Sequence, residues 1–150
     1  MTAKKMWRAF LKVAPEAAGQ KMEAWCYGGK DGDMLAELTA RGIKTATSSA
    51  YPVYGAVGEP LPRSGAYSVV TTADGAAVCV VYTSRVYVVS FDEVTEKHAW
   101  REGEGDRSLA YWRQVHEPFF RDSLKEHGLT FDDKMAVVCE EFSRVFPQLS

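Results

Sequence analysis

Between Ala66 and Ser90 the sequence changes its period and composition, and this segment constrains the fold more than any other. Ala66-Tyr67-Ser68-Val69-Val70-Thr71, Ala77-Val78-Cys79-Val80-Val81-Tyr82 and Arg85-Val86-Tyr87-Val88-Val89-Ser90 are dense in β-branched and aromatic residues. Such runs favour strands, and their apolar density calls for packing on both faces. Ala73-Asp74-Gly75 reads as the turn of a hairpin. A later run, 134–145, supplies one or two closing strands. Strands interrupted by helices point to an α+β class, a small mixed barrel with flanking helices.

The helical segments surround this β-rich middle. Residues 4–12 place Met6 and Phe10 at i, i+4 spacing with cations elsewhere, which predicts an amphipathic helix. Residues 34–41 form a second, with Asp33 suited to its N-cap and Gly42 to its C′ position. The stretch 25–33 reads as a glycine loop, and 51–62, broken by three prolines and two glycines, as an irregular excursion. Phe91–Glu102 and Ser108–His127 complete the helices. Leu109, Trp112, Val115, Phe119 and Phe120 make a core stripe in the second, where Pro118 removes a backbone donor and predicts a kink.

At 150 residues, 46% hydrophobic and 25% charged, the chain suits a single ordered domain over 1–150 with its core in about 20–146. No apolar run has the length of a membrane helix and no secretory leader opens the chain, so a cytoplasmic location is expected. Cys26, Cys79 and Cys139 have no metal-ligand or disulfide spacing and read as reduced thiols. The net charge of -2 gives no general attraction to polyanions, so any nucleic acid must meet a local patch.

Two polar segments stand apart from packing. Gly42-Ile43-Lys44-Thr45-Ala46-Thr47-Ser48-Ser49 follows a helix end and offers a lysine and hydroxyls. Glu102-Gly103-Glu104-Gly105-Asp106-Arg107-Ser108 sets three carboxylates where a helix macrodipole favours cations. A threonine hydroxyl attacks only when a base takes its proton, and a lysine serves when desolvated. On residues alone, Lys44 and Glu102 as solvated charges and Thr47 as a cap or strand residue explain a lone KxxT pattern better than catalysis does. Asp106 fits the N-cap of the 108–127 helix. His98, His116 and His127 have no metal-ligand spacing and read as structural or surface residues. Trp112 belongs to the core stripe, while Trp25, beside the glycines, is the better platform for a base.

Taken together, GIKTAT at 42–47, Phe91-Asp92-Glu93-Val94, EGEGDRSLAYWR at 102–113 and Phe119-Phe120 resemble the ASCH family, the activating-signal-cointegrator homology domain. The resemblance runs roughly from residue 20 to 146. It implies a PUA-like fold, a small β-barrel with flanking helices and a cleft for RNA or nucleoside ligands. A shorter branch of that family hydrolyses N4-acetylcytidine with a KxxT plus HAxxE pattern, which falls here on Lys44, Thr47 and Glu102. The resemblance implies that Thr47 attacks the acetyl carbonyl, Lys44 takes its proton, and Glu102 positions the lysine or the amide nitrogen. Trp25, Ser48 and Arg107 are the expected contacts to a nucleoside or RNA fragment, and the scheme needs no metal and no cofactor. This chain is longer than that branch and carries the acidic turn Gly103–Arg107. Longer relatives imply one alternative, metal-assisted RNA cleavage on Glu102, Glu104 and Asp106 with Lys44 and Arg107 on phosphate; the PUA-like fold implies another, RNA binding without catalysis.

Overall fold

A computed structural model describes residues 1–148. The elements are α1 (Ala3–Val13), a 3-10 turn (Pro15–Ala17), β1 (Met22–Cys26), α2 (Gly32–Ala40), β2 (Ala46–Ala50), α3 (Tyr51–Val57), β3 (Tyr67–Thr71), β4 (Ala77–Ser90), a second 3-10 turn (Phe91–Glu93), α4 (Glu96–Glu102), α5 (Leu109–Lys125) and β5 (Ala136–Phe146). The strands lie in one mixed sheet in the order β1-β3-β4-β5-β2. β1 runs parallel to β3, while β3–β4 and β2–β5 are antiparallel. The three strand runs of 66–90 thus become two, because the chain stays extended from Ala77 through Ser90.

The chain forms two compact units, each built from separate stretches. The first comprises Met1–Thr45, Ser64–Arg85 and the chain from Phe142 on. In it α1 lays Met6 and Phe10 against Val69 and Val80. A second cluster there joins Ala36 of α2 to Val70, Cys79, Val81 and Phe142. The second unit comprises Ala46–Arg63 and Val86–Glu141, with a core of Phe91, Trp112, Phe120, Leu124, Phe131 and Val137.

Several local expectations give way to tertiary context. The segment 51–62 is not irregular throughout: Tyr51–Val57 is helical, because Pro52 sits in the first turn, where no N–H is needed, and Gly58 ends the helix at φ 72°. Trp25 and Cys26 belong to strand β1, which borrows its ladder from β3. Asp33 lies inside the first turn of α2, whose N-cap is Asp31; its carboxylate accepts instead from Ala73 N–H at 2.9 Å. The 91–102 helix is split at Val94, since Thr95 caps α4 and accepts from His98 N–H at 3.1 Å. Ser108, not Asp106, caps α5 by accepting from Tyr111 N–H at 3.0 Å, while Asp106 accepts from Ser108 N–H at 2.9 Å one step earlier. α5 runs on through Pro118, and Phe119 faces outward at 53% exposure; its place in the stripe is taken by His116. Gly42 fills its expected role: at φ 76° it donates to Thr39 carbonyl and turns the chain toward Lys44.

Candidate functional site

In β2 successive side chains alternate faces. Ala46 and Ala50 are buried on one side, and Ser48 lies between them opposite Cys139 of β5. Thr47 and Ser49 point the other way: Thr47 is registered against Glu140, and the Ser49 hydroxyl bonds Tyr54 Oη at 2.7 Å. The two hydroxyls of the Thr47-Ser48 pair therefore belong to different environments.

Ser48 enters a buried polar cluster centred on Glu102. In α4, residues four apart share a face, so His98 and Glu102 stand side by side beneath the Thr95 cap. The Glu102 carboxylate is 2% exposed, and its Oε2 accepts from Ser48 Oγ. The same oxygen accepts from Trp112 Nε1 at 2.6 Å and from His98 Nε2 at 2.9 Å. Ser48 Oγ and His98 Nε2 are themselves 2.8 Å apart, and Tyr87 Oη lies 3.5 Å from His98 Nδ1. A carboxylate at a helix C-terminus meets the negative end of the macrodipole, and a buried charge without partners costs several kcal/mol. Three convergent donors replace the missing water.

The other carboxylate oxygen, Oε1, faces His116 Nε2 at 3.6 Å. His116 is stacked on Trp112, with centroids 4.4 Å apart and planes 15° apart, and its Nδ1 lies 2.9 Å from the Trp112 carbonyl. A carbonyl only accepts, so Nδ1 carries a hydrogen. Burial alone pushes the imidazolium down, but the hydrogen bond and charge of Glu102 outweigh it, and His116 is raised above its ordinary value. The turn beyond α4 is fixed by Gly105: at φ 58°, an added Cβ there would lie 2.5 Å from the Tyr111 ring. Glu104, Glu102 and His116 consequently bring one ligand atom each to within 4.8 Å of one another.

The remaining residues singled out in the sequence are placed as follows. Lys44 is 2% exposed in the first unit, its ammonium 5.5 Å from the centroid of Tyr27. Trp25 is half-buried there, edge-on to Tyr27 at 5.1 Å. Arg107, at φ 64°, lies 3.7 Å over the Trp100 ring and donates from Nε to the Trp100 carbonyl at 2.8 Å. The structure brings together Ser48, His98, Glu102, Trp112 and His116. His98 and His116 are buried cluster members, not surface residues, and Trp112 adds a hydrogen bond to its packing. The signals were present in the spacing: His98–Glu102 and Trp112–His116 are both i, i+4 pairs. Among the described residues no helix is long and apolar enough to cross a membrane.

Comparison with known proteins adds a family. The ASCH domain model matches residues 23–146. The solved ASCH domain from Lactobacillus crispatus is similar over 95% of this chain and 92% of that one, at 29% identity and a TM-score of 0.89. A protein of Enterococcus faecalis is similar over 95% of this chain and 87% of its own, at 29% identity and a TM-score of 0.85. No curated protein matches. These likenesses establish the α+β small-barrel fold class implied by the sequence.

Proposed function

The chain belongs to the ASCH domain family, a PUA-like fold related to RNA binding, and we propose that it is a hydrolase of an N4-acylated cytidine-like nucleoside or RNA fragment. The observation that carries the reading is Glu102: a carboxylate withdrawn from water and oriented by three donors is a group organised for proton transfer. Lys44, three residues before Thr47, is withdrawn from water too, which a lysine base requires.

In this reading the Thr47 hydroxyl attacks the acyl carbonyl and passes its proton to Lys44. The bond between the acyl carbon and the exocyclic nitrogen breaks as the amine leaves with the proton that Lys44 took up, relayed through Glu102. Water then hydrolyses the acyl-threonine, returning the enzyme and a carboxylic acid. Ser48 holds Glu102 as a positioning residue, and Trp25 offers a face to the base.

Cytidine release from N4-acetylcytidine by the full chain, with chelator present, tests the scheme. Turnover is expected in the wild type, with a loss of at least ~1,000-fold in Thr47→Ala. Ser48→Ala is expected to lose only ~10- to 100-fold, through misplacement of Glu102. The reverse ranking would make Ser48 the nucleophile, and no turnover by the wild type would overturn the hydrolase reading.

A further inference from the structure

We infer that Ser49 stabilises the oxyanion formed when Thr47 attacks an acyl carbonyl, and that Tyr54 positions Ser49 for it. The inference rests on the reading of Thr47 as the nucleophile and adds a group which that reading lacks. Attack closes a bond from Thr47 Oγ to the acyl carbon and moves the carbonyl π pair onto its oxygen. Collapse returns the pair and breaks the bond from the acyl carbon to the leaving nitrogen. A negative oxygen thus forms and disappears within the step, and a donor aimed at it contributes more there than toward the neutral carbonyl.

The fold puts two hydroxyls where such a donor is needed. Thr47 and Ser49 are two residues apart on β2, so their side chains leave the same face about 6.6 Å apart. Two C–O bonds at the acyl carbon followed by a hydrogen bond of ~2.7–3.1 Å cover most of that gap, and rotation of the two short side chains covers the rest. Ala50, the last residue of β2, is also the N-cap of α3, so the chain turns straight from strand into helix. Helical side chains lean toward the N-terminus, and Tyr54, one turn in, reaches back to Ser49 with Oη 2.7 Å from Oγ. Thr47, Ser49 and Tyr54 are all half-buried, which leaves the group open to a ligand while it is held in place.

The hydrogen count assigns the roles. Two hydroxyls joined by one hydrogen bond hold two hydrogens and spend one on each other. The phenol is the more acidic, so it donates to Ser49 Oγ and leaves the Ser49 hydrogen for the oxyanion. Burial pushes the Tyr54 phenol above its ordinary value; the Ser49 bond pulls against this, and the charges of Glu140 and Glu59 add to it. The phenol therefore keeps its hydrogen at neutral pH. Glu140 also stands opposite Thr47 on the same face. An oxyanion formed beside that carboxylate is repelled by it, which makes a hydroxyl donor on the Ser49 side the more necessary.

The test is steady-state hydrolysis of N4-acetylcytidine and of p-nitrophenyl acetate by the full chain, with acyl transfer to Thr47 followed by mass spectrometry. Ser49→Ala is expected to lower kcat for both compounds by ~100- to 1,000-fold, the cost of one oxyanion donor, with KM unchanged. Ser49→Thr keeps the hydroxyl and is expected to restore most of the rate. Tyr54→Phe is expected to lose less than Ser49→Ala, again in kcat alone, whereas a merely structural loss would lower Tm and move both constants. Tyr51→Phe, at an exposed position of the same helix, is expected to match the wild type. Circular dichroism checks that each variant is folded. Turnover of p-nitrophenyl acetate through acyl-Thr47, with none of N4-acetylcytidine, would sink the amide reading while a Ser49→Ala loss still upheld the oxyanion donor. Absence of acyl-Thr47 with either compound, an unchanged kcat in Ser49→Ala, or a larger loss in Tyr54→Phe than in Ser49→Ala would overturn it.

Discussion

The two units bury helices by different physics. In the first, α1 packs hydrocarbon: Phe10 lies 5.5 Å from Tyr67, 5.9 Å from Phe146 and 5.4 Å from Trp7, centroid to centroid. Such contacts are non-directional, and each contributes separately. In the second, α4 and α5 bury His98, Glu102, Trp112 and His116 around one carboxylate oxygen pair. Here each group depends on the others, because removing one strands polar partners in a dry interior. The first arrangement is a source of stability that tolerates changes of shape. The second is a position-sensitive assembly held together by completeness, and chemistry is expected there.

Truncating Phe10 to Ala breaks the apolar side of this comparison and has the largest expected effect on stability. A buried Phe→Ala change costs about 3–5 kcal/mol, read by urea denaturation. Deacylation per folded molecule is expected to stay at the wild-type rate. A Phe10→Leu change, which keeps most of the volume, is expected to cost under about 1.5 kcal/mol.

Glu102→Gln probes the polar side with nearly constant volume. The amide keeps one acceptor but adds two N–H groups where donors already converge, so a loss of about 1–3 kcal/mol is expected. Turnover is expected to fall by ~100-fold or more, since an amide cannot relay a proton. Equal loss of activity in Phe10→Ala and Glu102→Gln would erase the distinction between the units.

The sequence made the apolar side far easier to read than the polar one. Met6 and Phe10 announce α1 by spacing, the valines of 66–90 announce β3 and β4, and Gly42 marks the end of α2, because burial period and turn chemistry are local properties. Strand β1 was hidden, since its partner β3 lies more than forty residues away and its outer positions are exposed. α3 was hidden because its proline reads as a breaker until its place in the first turn is known. At the site, Glu102 and Ser48 were visible as chemistry-bearing residues, but their contact spans 54 residues of chain and only tertiary structure makes it. For His116 the i, i+4 spacing from Trp112 is a local signal, but only the tertiary structure sets its ring against Glu102 while Phe119 faces outward.

The cysteines give the finest version of the comparison, at the smallest expected effect. Burial pushes the Cys79 thiol up to about 12 from an ordinary 9.0, and the charge of Arg144 pulls it back only in part. In the fold Cys79 keeps its proton while the unfolded chain loses it, so its contribution is fully present below pH 9 and is lost as pH rises from there toward 12. At pH 8 the thiol has neither access nor thiolate character. Cys139 is likewise buried, whereas Cys26 at the end of β1 is exposed. Iodoacetamide at pH 8 is therefore expected to add one carbamidomethyl group, on Cys26, with Tm shifted by no more than about 1 °C, the scale of a surface change. A second adduct on Cys79 under the same conditions would mean that the apolar unit opens at low cost, and the stability assigned to it would pass to the polar cluster instead.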